Sequence, residues 1–186
     1  MRTRDDVLDA ALATLNDDPT SSMADIAGAL GIARATLHRH FATREALLLE
    51  IGERALDRWA RTQVECGMPQ AVAAGDADAL DACLQAILPA FLVDAAVFDF
   101  TLTDPTMLAM PRFAARTRAL QDLEIAFFEA AQHAGVVRSD VPAAWLSHTL
   151  YGLLVAAREA TRDGDVARRS LPDLMITTFR QGAAPR

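Results

Sequence analysis

Lysine is missing from this chain: all 18 basic residues among its 186 are arginine. Cysteine is scarce, and Cys66 and Cys83 are too few for a disulfide framework or a cysteine-built zinc site. No uninterrupted apolar run approaches the ~18 residues of a membrane span, so no membrane partner is expected. Asp5, Asp6 and Asp9 break up the opening stretch, which argues against a signal peptide and for a cytoplasmic protein. Period-two alternation is lacking, and no Asn-Gly or Asp-Gly turn joins two apolar runs, which excludes a sheet. Nucleophile elbow, phosphate loop and metal-ligand spacing are all absent. No enzyme, cofactor or metal is expected, and His133 and His148 stand isolated.

What is present is apolar and acidic. Hydrophobic residues make up 52% and charged residues 23%, a globular balance at a length that can bury a sizeable core. The net charge of -7 argues against non-specific coating of nucleic acid. Local placement overrides that average. Between positions 30 and 44 stand Arg34, Arg39, Arg44, His38 and His40, with no acid among them. Arginine's planar fork suits phosphate and guanine, so the lack of lysine does not disqualify a nucleic-acid contact.

Apolar spacing reads as helix nearly throughout. Val7, Leu8, Ala11, Leu12 and Leu15 form one stripe over 3–16, with Thr3 and Asp6 as a capping pair. A second helix opens at Ser22, with Asp25 three residues on, and closes at Gly31. A short third helix covers 34–41, and Thr43 caps a long fourth over 44–65. Gly67, Pro69 and Gly75 break the pattern, and a fifth helix from Asp76 is expected to kink or divide at Pro89. Residues 99–110 read as irregular or as a short helix. Further helices follow over 111–134, 142–162 and 170–181.

The second and third helices, joined at Gly31, make a helix-turn-helix. Ile26, Leu30, Ile32, Leu37 and Phe41 should lock them together. That leaves Arg34, Ala35, Thr36, His38, Arg39 and His40 turned outward. Small residues let such a helix enter a major groove while arginines reach base edges or phosphates. Arg34, Thr36 and Arg39 are the base-reading candidates; Ser22, His38, His40 and Arg44 are the phosphate-side candidates. A metal pair at His38 and His40 is excluded because residues two apart on a helix face different sides.

The run DIAGALGIARATLHRHFATREALL resembles the DNA-binding region of the TetR family of bacterial one-component repressors, matching through Gly31, Ile32, Thr36, Leu37, His40, Phe41, Arg44 and Leu47. It departs at Ala33, where a serine or threonine cap is common, and at His38, where tyrosine is usual. The resemblance covers about residues 3–52. It implies an all-α fold: a three-helix DNA-binding domain at 1–46, then a larger helical ligand-binding and dimerisation domain at 47–186. It also implies a homodimeric repressor whose recognition helices sit about 34–36 Å apart on pseudo-palindromic double-stranded DNA. A small-molecule effector would change that separation.

In the expected C-terminal domain, helix 142–162 is apolar on more than one side and so wants two partners. Leu146, Leu150, Leu153 and Ala157, with Leu171, Leu174, Met175 and Phe179, are the candidate dimer contacts. The effector, mostly apolar, is expected against Trp59, Leu84, Leu88, Phe91, Phe98, Met107, Met110, Phe113, Leu120 and Tyr151. Asp94 and Asp99 interrupt an apolar run and read either as pocket acids or, in preference, as exposed, capping, or paired with Arg112 or Arg116. A rival function is a small-molecule sensor or carrier that acts through protein partners, its N-terminal bundle a docking corner.

Overall fold

The computed structural model of the chain describes residues 3–185, and among them there are helices and no strands. Ten α-helices run α1 (Arg4–Asp17), α2 (Met23–Ala29), α3 (Arg34–His40), α4 (Arg44–Glu65), α5 (Met68–Ala74), α6 (Ala77–Val97), α7 (Pro105–Leu108), α8 (Pro111–His133), α9 (Ala143–Arg162) and α10 (Leu171–Ala183). Short 3-10 turns lie at Asp99–Leu102 and Arg168–Ser170.

The chain forms two compact units. The first combines residues 1–56 with 98–115; the second combines 57–97 with 116–186. The sequence boundary at 46/47 therefore falls inside α4, ten residues short of the end of the first stretch. The contribution of 98–115 has no sequence signal. That stretch carries an amide and two side chains the first unit uses. The Phe100 amide donates to Asn16 Oδ1 at 2.9 Å, and Met107 and Phe113 are buried. Both press on Gly52, where an added Cβ would lie 2.5 Å from Met107 Cε and 2.8 Å from two Phe113 ring carbons.

Local rules build the first three helices. Thr3 and Asp6 cap α1 reciprocally, and Ser22 and Asp25 do the same for α2, satisfying amides the helix itself leaves unbonded. Gly31 ends α2 with φ +64°, the left-handed conformation glycine adopts without strain. The Ile32 amide then bonds Ala27 O and the Gly31 amide bonds Gly28 O, the paired closure of a Schellman turn. Val7, Leu8, Leu15, Ile26, Leu37, Phe41, Leu47, Leu48 and Ile51 fill the centre of this unit.

The second unit is organised around α6. By length and composition alone it could cross a membrane, although Asp78, Asp81 and Asp94 interrupt its apolar run, and the core helix of a folded body meets the same measure. Its apolar side chains Leu80, Cys83, Leu84, Ile87, Leu88, Phe91 and Leu92 are buried in the unit's core with Phe127, Phe128, Leu146, Leu150, Met175 and Phe179. Asp81 pairs with Arg180 and Asp94 with Arg58. Pro89 does not divide α6, since packing on both sides of it outweighs the one hydrogen bond proline withholds. α5 was not expected: Gly67 and Gly75 flank a seven-residue helix, both in the left-handed conformation, and Pro69 lies in its first turn.

Candidate functional site

The first unit presents α3. Leu37 is 0% and Phe41 1% exposed, so the clamp side of the helix is inside. Arg34, Ala35 and Arg39 are exposed, and Thr36, His38 and His40 are partly so. Arg4 fixes the far end: its guanidinium lies 4.3 Å from the Phe41 ring centroid, donates to the His40 carbonyl, and pairs with Glu50. Ala33 makes no side-chain cap, as the sequence departure implied, which leaves free amides at the start of α3.

Charge around α3 is sorted by pairing. Arg54 bridges Asp5 and Asp9, and Arg112 meets Glu53 at 2.9 Å. Among the described arginines of this unit, Arg34 and Arg39 have neither a carboxylate nor a backbone carbonyl as partner. Arg34 Nε donates to His38 Nε2 at 3.3 Å, and His38 Nδ1 lies 3.1 Å from the Ala42 carbonyl.

Two phosphate-side candidates have structural work. Arg44 donates from Nε to Ser21 O at 3.2 Å and from Nη2 to Pro19 O at 2.8 Å, so it straps the turn before α2 instead of standing free. Ser22 is exposed, but its hydroxyl caps α2 and bonds Asp25.

The second unit corrects the dimer candidates. Leu146, Leu150, Met175 and Phe179 point into this chain's own core, and Leu153, Ala157 and Leu171 pack against it. Of the eight, Leu174 alone is well exposed, at 49%. The outward stripe of α9 is instead Trp145, Gly152 and Ala156, with Trp145 62% exposed. The members of both stripes other than Leu174 thus face or pack against this chain's own core.

The pocket candidates divide between the two units. Phe98, Met107, Met110 and Phe113 belong to the first unit, and Trp59, Leu84, Leu88, Phe91, Leu120 and Tyr151 to the second. Trp59 meets Phe91 edge-on, centroids 6.2 Å apart, whereas Tyr151 is 41% exposed. Asp94 is paired, as preferred, but its partners are Arg58 at 2.6 Å and the Thr62 hydroxyl. Arg112 and Arg116 go to Glu53 and Asp57. Burial pushes the Cys83 thiol up to about 11, with Cys66 adding a smaller push, which leaves a poor nucleophile at neutral pH.

The residue that sequence reasoning missed is Glu124. It is 3% exposed on α8. Its Oε1 accepts from Trp59 Nε1 at 2.8 Å and from Gln63 Nε2 at 3.4 Å, and its Oε2 accepts from Ser147 Oγ at 3.0 Å. Burial pushes its carboxyl up to about 7, against the opposing pull of those three donors. The signal was available: Leu120, Glu124, Phe127, Phe128 and Ala131 lie on one helical stripe, so an acid sits at a core position.

Comparison with known proteins places this geometry. Residues 7–51 match the family model described as bacterial regulatory proteins, tetR family. Over 181 residues, 97% of this chain and 90% of the relative, the sequence is 30% identical to the HTH-type transcriptional repressor LfrR of Mycolicibacterium smegmatis. The crystal structure of LfrR in complex with proflavine superposes with a TM-score of 0.72 at 27% identity, covering 95% of this chain and 93% of that one. The structure of AibR with isovaleryl coenzyme A and operator DNA shares the fold, with a TM-score of 0.69 at 18% identity over 94% and 96%. The chain belongs to the TetR family of bacterial transcriptional regulators.

Proposed function

We propose that the chain is a cytoplasmic repressor that binds a pseudo-palindromic operator as a homodimer and leaves it on binding a mostly apolar small molecule. The observation that carries this reading is α3: two exposed arginines without acidic partners, on a helix whose other side is clamped by Leu37 and Phe41. Arg34, Thr36 and Arg39 read bases, Ala35 permits close approach, and Ser22, His38 and His40 face phosphates. Arg44 acts mainly by holding the turn before α2. The helix-turn-helix within residues 1–46 does the DNA binding, and the body that follows, within 47–186, takes the effector and dimerises.

A second copy is the partner that suits α9 and α10, which are neighbours in the second unit. Their outward faces carry Trp145, Gly152, Ala156 and Leu174, a large apolar anchor beside small residues that allow close packing. Such a face is self-complementary in a twofold dimer. LfrR is a repressor whose structure holds proflavine, which supports repression relieved by a flat small molecule here. Release then follows from linkage: an effector that prefers the conformation with the wrong half-site separation lowers affinity for DNA.

The test is selection of bound sequences from a random duplex pool, followed by gel shift against salt. The expected result is an inverted repeat with half-sites about one helical turn, roughly 34–36 Å, apart and a steep loss of affinity with salt. Binding without enrichment, or without a salt slope, would overturn the reading.

A further inference from the structure

An arginine side chain has many rotamers to lose when it docks on a base, so a contact that holds it beforehand favours the complex. The two exposed arginines of α3 differ in this respect. No side chain or carbonyl among the described residues holds Arg39. Arg34 is held: its Nε donates to Nε2 of His38 at 3.3 Å. The other ring nitrogen, Nδ1, lies 3.1 Å from the carbonyl oxygen of Ala42, in the loop that follows the helix. The imidazole thus spans α3, tied at one end to the chain beyond it and at the other to the guanidinium of its first residue.

The spacing makes this possible, since residues four apart on a helix are neighbours. Both ring nitrogens are engaged within the chain, so His38 stands on the phosphate side of α3 with its polar atoms already occupied. Arg34 opens α3, and in a helix-turn-helix the first residues of the recognition helix reach base edges. With Nε committed, its four remaining N–H groups lie on the two terminal nitrogens, a fork that matches O6 and N7 of guanine. Tyrosine, the usual residue at position 38, has one hydroxyl at the tip of a longer side chain in place of two nitrogens on different sides of a ring. The support comes with the histidine.

We infer that His38 is a positioning residue: it fixes Arg34 for an end-on, two-bond contact with a guanine in the major groove and so sets the operator's preference at one base pair. This rests on the reading of α3 as the recognition helix, and it narrows that reading to a base and to the side chain that enforces it.

The test uses the intact chain and its selected operator, with each of the four bases placed in turn at the pair whose preference Arg34→Ala relaxes. Two variants divide the ring. His38→Gln keeps an acceptor near the Nε2 position, whereas His38→Asn keeps an amide near Nδ1 and ends short of Arg34. In gel shifts at one salt concentration, the intact protein should prefer guanine by about ten-fold. His38→Asn should reduce that preference by about three- to ten-fold, the worth of one hydrogen bond, and His38→Gln should keep it within about two-fold. In an Arg34→Ala background, His38→Asn should change binding by less than about two-fold. Equal weakening of all four operators by His38→Asn, with Arg34 present or absent, would make His38 a phosphate contact and overturn the inference. A preference for another base, or loss of the guanine preference in a folded His38→Gln, overturns it too. Far-UV circular dichroism identifies misfolding; were His38→Asn to misfold, His38→Ala takes its place with the same expected loss. Should a selected operator be bound with a guanine preference that His38→Asn leaves intact, the positioning role fails while the regulator reading stands. Should no operator be selected at all, the regulator reading fails, and this inference with it.

Discussion

Replacing Glu124 by glutamine removes a titration the fold disfavours in its charged form, and the consequence can be worked through. In the unfolded chain the carboxyl titrates near 4.5; in the folded chain burial holds it at about 7. Between those values the folded state binds more protons than the unfolded state, so stability falls as pH rises. The stabilising contribution is complete below about 4.5, drains away through the window, and is gone above about 7. The gap is worth on the order of 3 kcal/mol, most of which falls between pH 5 and pH 8. Glutamine keeps the shape and can still accept from Trp59 or Ser147, but it carries no proton to lose. Relative to the intact protein, Glu124→Gln should therefore gain stability steadily from pH 5 to pH 8. For a chain of this size the gain is about 5–10 °C in Tm. Differential scanning calorimetry of both proteins across that range reads it directly. Because only the difference between the two proteins is used, contributions common to both cancel. A difference in Tm that stays flat from pH 5 to pH 8 would refute the claim that this acid is buried without a counter-charge.

Replacing Arg34 by alanine should cost about 1–3 kcal/mol on the selected operator and relax the preference at one base position, read by repeating the selection. Equal weakening on every sequence would instead make Arg34 a phosphate contact. Arg44→Ala should lower stability by about 1–2 kcal/mol, because the Pro19 and Ser21 carbonyls both lose a donor, and thermal melting without DNA measures it. Gly52→Ala, despite alanine's better helix propensity, should destabilise by about 1–3 kcal/mol through overpacking against Met107 and Phe113, seen as a lower urea midpoint. Trp145→Glu combined with Leu174→Glu should give a monomer by sedimentation, without altering the far-UV spectrum, since both side chains face outward.

The first unit was legible where its determinants are local. Thr3 with Asp6, Ser22 with Asp25, and Gly31 act within a few residues of themselves, so spacing alone carries them. The addition of 98–115 depends on Phe100 meeting Asn16 and on Met107 and Phe113 meeting Gly52, pairings remote in sequence and without periodic signature. α5 hid behind its own ends: glycines that flank a short helix look the same as glycines that replace one. In the second unit the stripes of α9 and α10 were visible, but which side faces inward is a tertiary fact. Leu146 and Leu150 on one side, and Trp145 and Gly152 on another, are both apolar or small, so composition cannot choose between them. Glu124 was hidden for a different reason. Asp94 interrupts a long apolar string and so stands out in the linear sequence, whereas Glu124, between Leu123 and Ile125 but just after Gln121 and Asp122, becomes a core position only when its stripe is followed at helical spacing through Leu120, Phe127, Phe128 and Ala131.

An acidic chain can offer a cationic surface if its acids are spoken for. Exposed ion pairs contribute little to stability, about 0–1 kcal/mol each, so Arg4–Glu50, Arg54 with Asp5 and Asp9, and Arg112–Glu53 explain little of why the first unit folds. Their effect lies in the field. At physiological salt a charge is felt over about 8 Å, so the carboxylates of α1 and α4 would weaken any phosphate contact within that distance unless neutralised nearby. With arginines beside them, Glu50, Glu53, Asp5 and Asp9 present a much reduced negative charge. The positive charge left without an acidic partner among the described residues of the unit then falls on Arg44, which is tied to two carbonyls, and on Arg34 and Arg39, which share one exposed helix face. An overall charge of -7 and a local affinity for DNA are compatible on this account: the excess acid limits non-specific binding, and the pairing decides where phosphate can come close.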